Sequence, residues 1–294
     1  MKKLSSVVSA CWPFVSPFSL IAFRQRKKIQ WMAMLVVACV GGGLVLPAPL
    51  LRAQDKNQRD VIRRARASYY SLKGRGLVSF QCQVVPDWDA LFLALNPGAG
   101  AQDPVLQLLK QTRFQVAIGP TGASTVSHQS DYAPPNEQIA ARVRQTTSGL
   151  EQTITGFFNI WSPFTFGSPF PDAESEFQLE DLAGQYRLTY KQGTAQVVTT
   201  MTGDYAMTET TFKSPQINMD FHPEWSRVNG VYILSAFKAS YSAAPAGTQE
   251  LEGKFTYQEV DGLELPMTLD VKVVTPARTV ALQITFAGCR VTKQ

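Results

Sequence analysis

Few side chains in this sequence could carry chemistry, and they are scattered. The two histidines, His128 and His222, lie in different strand-like runs, with no His-x-x-x-His and no cysteine or glutamate at ligand spacing. Asp87 and Asp89 flank Trp88, and Glu174 and Glu176 flank Ser175. Paired carboxylates can divide general-acid from general-base work, but beside turns they more commonly cap helices or stay solvated. There is no Gly-x-Ser-x-Gly elbow for a nucleophile. The run Gly41-Gly42-Gly43 sits in an apolar leader rather than a phosphate-binding turn. This inventory predicts a protein that is not an enzyme and needs no metal or cofactor.

The stretch that stands out is apolar. Residues 157–170 read FFNIWSPFTFGSPF and carry six aromatic side chains: Phe157, Phe158, Trp161, Phe164, Phe166 and Phe170. Burying one such side chain contributes about 1.5–3 kcal/mol, so the set represents roughly 9–18 kcal/mol. That rivals the net stability of a whole domain. Either the six pack permanently under a sheet, or they line a space filled by something apolar. Ser-Pro at 162–163 and 168–169 predicts a connection that can hinge, which favours the second. These six are the candidate ligand-binding residues.

The first fifty-odd residues have a different character. Arg24, Arg26, Lys27 and Lys28 form a basic cluster, Ile29 to Leu51 carries no charge, and Leu51-Arg52-Ala53 ends the run. This order predicts a secretory signal peptide over 1–53, cleaved after Ala53. The uncharged run is also long enough for a retained membrane anchor, and Val36-Val37-Ala38-Cys39 is a loose lipid-attachment pattern. The predicted address is the periplasm or cell envelope, with a membrane- or lipid-anchored form as the alternative. Seven of the 28 Lys/Arg and none of the 23 Asp/Glu fall in the leader, which leaves 21 basic against 23 acidic residues, net −2. The mature chain therefore has no electrostatic case for nucleic acid. Its two cysteines, Cys82 and Cys289, predict one disulfide from the first strand to the last in an oxidising compartment. Two free buried thiols are the alternative.

Residues 57–73 keep Val61, Ile62, Ala65, Tyr69 and Leu72 on one helical face. Val78–Val84 alternates as a strand with Cys82 on its apolar side. Short helices follow at Trp88–Leu95 and at Pro104–Lys110, the second capped by Asp103. Strands at 114–118 and 124–130 precede a long helix from about Glu137, whose stripe Ile139, Val143, Thr147, Leu150, Ile154, Phe157 and Trp161 runs into the aromatic segment. Beyond residue 175 the period becomes two. Gln192-Gly193, Gly203-Asp204, Asn229-Gly230 and Asp261-Gly262 punctuate it as hairpin turns. About ten or eleven antiparallel strands result. So many strands must twist and curl. The predicted class is mainly β (α+β): a strongly curved antiparallel sheet, or half-open barrel, with helices covering its concave face. It forms one domain over 54–294, with a helical insertion around 86–170.

The opening helix with its Tyr69-Tyr-Ser-Leu-Lys-Gly74 turn, the helical insertion, the strand meander and the phrase Val260-Asp-Gly-Leu-Glu-Leu-Pro266 together resemble the outer-membrane lipoprotein carrier superfamily, the LolA/LolB/LppX-like proteins. The likeness covers most of 57–291 and is one of layout and turn phrases. It implies a half-open barrel with helices as a lid, and a carrier of lipid or lipoprotein acyl chains. No individual family residue maps onto this chain. The other reading is an envelope assembly module that binds a partner protein through its aromatic surface.

Overall fold

The computed structural model describes residues 48–96, 98–215, 217–243, 247–275 and 279–294. Most of the predicted leader, including Cys39, lies outside the described residues. Its cleavage point at Ala53 falls in helix α1 (Ala48–Ala67). Helix α1 ends six residues before the point its periodicity suggests, because the chain beyond it pairs with a strand. Tyr232 N donates to Ser68 O (2.7 Å) and Tyr70 N donates to Tyr232 O (2.7 Å). A 3₁₀ turn at Lys73–Arg75 then leads into the sheet.

The strands are β1 (Leu77–Pro86), β2 (Thr112–Ile118), β3 (Ser124–Ser130), β4 (Phe177–Asp181), β5 (Gln185–Gln192) and β6 (Ala195–Thr202). They continue as β7 (Met207–Lys213), β8 (Ile217–Val228), β9 (Val231–Ala243), β10 (Gly247–Val260), β11 (Leu263–Val274) and β12 (Thr279–Lys293). Between them lie α2 (Trp88–Leu95), α3 (Pro104–Lys110) and α4 (Glu137–Thr165). Local chemistry sets these boundaries. Asp103 accepts from Val105 N (2.8 Å) ahead of Pro104, and Asn136 accepts from Ile139 N (2.9 Å) to start α4. Asn229 and Gly230 (φ 52° and 83°) and Asp261 and Gly262 (φ 51° and 74°) both turn with positive φ, as tight hairpins require.

All the strands form one antiparallel sheet of twelve, in the order β3-β2-β1-β12-β11-β10-β9-β8-β7-β6-β5-β4. That is one or two more strands than the periodicity predicts; β7 is the one missing from that reading. Two meanders, β1–β3 and β4–β12, meet where β1 pairs with β12. The sheet is not closed: β3 and β4 are its edges, and α4 carries the chain from one to the other. Twenty-nine helical residues span about 43 Å, against about 53 Å for eleven strand spacings. The helix can therefore lie across most of the sheet.

Under α4 the core is a continuous run of rings. Phe164 stacks on Phe221 (4.8 Å, 11°), Phe221 on Phe237 (5.1 Å), Phe237 on Phe255 (5.7 Å), and Phe157 meets both Phe255 (5.3 Å) and Phe286 (5.9 Å). Gly253 faces Phe237 across the β9–β10 ladder, and a Cβ there would come within 2.4 Å of that ring. Gly253→Ala is therefore expected to lower stability by about 1–3 kcal/mol, the range for overpacking. Chemical denaturation would measure it, and an unchanged midpoint would show that the ring row can give way.

Cys82 and Cys289 form a disulfide with Cα atoms 4.1 Å apart. Strict alternation along β12 would turn Cys289 away from the face carrying Ile284 and Phe286. A bulge resolves this. Gln81 pairs with Arg290 and Gln83 with Ala287, so Cys82 stands opposite two residues, and Gly288 takes φ 57°. The extra residue returns Cys289 to the inner face beside Cys82.

Candidate ligand-binding cleft

The aromatic segment is mostly helix, not a connection. Helix α4 continues through Ser162-Pro163 to Thr165. Because Pro163 lies in the last turn, its missing N–H removes a single bond near a terminus, where it costs least. Phe166 N and Gly167 N both donate to Ser162 O (2.9 and 3.2 Å), closing the helix. Ser162 Oγ donates to Gly122 O (3.1 Å) and ties this end to the β2–β3 turn.

The six aromatics divide into two groups. Phe157, Phe158 and Trp161 are buried in the main core against Phe80 and Phe286. Trp161 Nε1 donates to the Tyr257 hydroxyl (3.1 Å), which itself donates to Leu234 O; burial holds that phenol well above its ordinary pKa. Phe166 is buried over Gly122, where an added Cβ would meet its ring at 2.9 Å. Only Phe164, which is half-buried, and Phe170, which is buried against Tyr69 but forms part of the wall, border a cleft of about 1000 Å³ between the end of α4 and strands β5–β8.

The floor of the cleft comes from register. Tyr190, Val197, Phe212 and Met219 stand opposite one another on β5, β6, β7 and β8, so they share a face. Phe221 and Thr210 form the next row. All six line the cleft. The roof is Ile160, Pro163, Phe164 and the 167–172 turn. The helical cover is therefore incomplete over β5–β7. Helix α4 stops at Thr165, and the Gly-Ser-Pro segment after it lacks the bulk to fill the space over β5–β7.

Tyr69 anchors one side of the roof. Its ring stands edge-on to Phe170 (5.2 Å) and Trp225 (4.8 Å). Its hydroxyl donates to Tyr205 O (2.8 Å) and accepts from Met207 N (2.7 Å). Tyr190 differs. Protein surrounds its phenol, and burial pushes its pKa up to about 12, yet part of the side chain stays exposed because it faces the cleft. No hydrogen bond engages its hydroxyl among the described residues.

Several of the groups first considered for chemistry have structural partners. Asp87 caps α2 by accepting from Ala90 N (3.0 Å), and Asp89 pairs with Lys110 (2.7 Å). Glu174 pairs with Arg59 (2.6 Å) and Arg63 (2.8 Å), which hold its carboxyl below the usual range. His128 meets Glu151 of α4 (2.7 Å) from edge strand β3, and His222 faces Lys238 in the β8–β9 ladder. Sequence reading missed Met207, Thr210 and Phe212, whose strand was not recognised. Tyr190, Val197, Met219 and Phe221 were visible as alternating apolar positions, without the register that joins them.

No protein family matches the chain, and neither a curated protein nor a solved structure does.

Proposed function

We propose that this is an exported, non-enzymatic protein of the periplasm or cell envelope that holds lipid, or the acyl chains of lipoproteins, in the cleft beneath α4. The observation that carries this reading is the cleft itself. Phe164 and Phe170 face a floor of Val197, Phe212, Met219 and Phe221, and a volume near 1000 Å³ lies at the upper end for ligand sites. The resemblance to the outer-membrane lipoprotein carrier superfamily points the same way. On this reading the open sheet curls as a half-barrel, with the helices as a partial lid on its concave side. The Cys82–Cys289 bond suits an oxidising compartment. The other reading, partner binding through an aromatic surface, has less to rest on, since five of the six aromatic side chains are buried.

Protein purified from its own envelope is expected to release about one lipid per chain on organic extraction, and native mass spectrometry should show the matching adduct. A fluorescent fatty-acyl probe should bind the delipidated chain and be displaced by that lipid. Empty protein that also ignores the probe would rule carriage out.

A further inference from the structure

We propose that the cleft selects its ligand by length: a single acyl chain of about twelve carbons lies along the cross-strand row Tyr190, Val197, Phe212 and Met219, its methyl end at Met219 and its head leaving toward β4. This rests on the acyl-binding reading above and names the class of chain.

Register fixes the row. Tyr190 pairs with Val197, Val197 with Phe212 and Phe212 with Met219, and cross-strand partners share a face. Side-chain contact agrees. Ala195, Val197 and Phe212 form an apolar cluster of their own, Tyr190 and Met219 pack against it, and among the described residues no helix contributes to it. Helix α4 packs into one neighbouring cluster and α1 into another, so this row is apolar floor that neither helix covers. Its ends differ. Beyond Met219 the row continues to Tyr241 on β9 and Gln249 on β10, where the tyrosine hydroxyl donates to the side-chain oxygen of buried Gln249. A hydrocarbon tail gains little from that polar pair, so the apolar strip stops at Met219. Beyond Tyr190 stands Phe177 on β4, the edge strand of the sheet, and that end leads outward. The neighbouring row carries Thr199 and Thr210, whose hydroxyls bond each other (3.1 Å). The apolar strip is therefore narrow and takes one chain. Three strand spacings from β5 to β8 span about 14 Å. An extended chain advances about 1.2 Å per bond, a third of the reach of one residue. About twelve carbons thus fill the strip, and one strand spacing corresponds to about four.

The test uses the full delipidated chain and displacement of a fluorescent fatty-acyl probe. The competitors are saturated fatty acids, which share one head and lengthen from about eight to about eighteen carbons. Affinity is expected to rise by up to about fourfold per methylene until about twelve carbons, and to gain less than about twofold in all over the longer acids. Met219→Trp, which fills the inner end of the strip, should bring that plateau forward by about two to four carbons. Tyr241→Phe with Gln249→Leu, which makes the next two positions of the row apolar, should carry it about four carbons further. The wild-type series decides the length without either variant. Affinity that climbs to the longest acid, or that ignores length, would overturn the proposal and leave acyl binding standing. A plateau unmoved by Met219→Trp would overturn the assignment to this row, and one unmoved by the double variant would overturn the polar stop. Failure of every acid and of the probe would instead remove the acyl-binding reading beneath it.

Discussion

Replacing Cys82 and Cys289 by serine is expected to lower the free energy of unfolding by about 5 kcal/mol, the chain-entropy value for a bond spanning 207 residues. Against a typical net stability of about 5–15 kcal/mol, that is a third of the total or more. The position of the bond explains why the loss should be global. The β1–β3 meander joins the β4–β12 meander in the sheet only where β1 pairs with β12, and the disulfide crosses that seam. In the unfolded chain the same bond would tie the first strand to the last and remove the loop-closure entropy of that long segment. Urea denaturation of the double variant against the wild type measures the effect, with non-reducing peptide mapping to verify that Cys82 and Cys289 are linked in the exported protein. A loss below about 1 kcal/mol, with the link verified, would mean that the denatured ensemble is already restrained by residual structure.

Much of this architecture was legible because local rules and tertiary packing agree. The Asp103-Pro104 and Asn136 caps, the Asn-Gly and Asp-Gly turns and the α4 stripe from Val143 to Trp161 all stand where their chemistry suggests. The one missed strand contains a bulge. In β7, Met207 faces Met201 while Glu209 faces Thr200, so an extra residue switches the inner parity to Thr210 and Phe212. The run Met-Thr-Glu-Thr-Thr-Phe-Lys then shows no period of two, and the strand disappears from a pattern-based reading. Strand β9 has the same defect between Leu234 and Ala236, and β12 has it at Gly288. A bulge adds one residue and reverses every later side chain, which defeats alternation while leaving the ladder intact. The cleft was illegible for a related reason. Its floor is a cross-strand row, so it depends on register between strands rather than on order along any one of them. The aromatic segment signalled apolar burial correctly in kind, but nothing local distinguishes Trp161, turned into the core, from Phe164, one helical turn later at the edge of open space.

That distinction gives the second large effect. Trp161→Ser is expected to cost about 3–5 kcal/mol, as large-to-small aromatic changes do in a packed core. Trp161 has no exposed surface, meets Phe80, Phe157 and Phe158, and donates to Tyr257 (3.1 Å), so serine would leave both a void and a lost hydrogen bond. Phe164→Ser removes a ring of similar chemistry in different surroundings. That ring stacks on Phe221 (4.8 Å) and touches Trp225 (6.0 Å), but another part of it borders the cleft. Its loss should cost less, about 1–2 kcal/mol, mostly the stacking contribution and a share of its burial. The ligand response should run the other way. A fluorescent fatty-acyl probe should bind Trp161→Ser nearly as well as wild type at temperatures where the variant is folded, and bind Phe164→Ser several-fold more weakly, since about 1 kcal/mol of lost apolar contact is a factor of roughly five. Stability and affinity measured on the same two proteins thus separate core from cleft. If Trp161→Ser loses the probe at full stability while Phe164→Ser unfolds, the apolar ligand lies beneath the middle of α4 and not at its end.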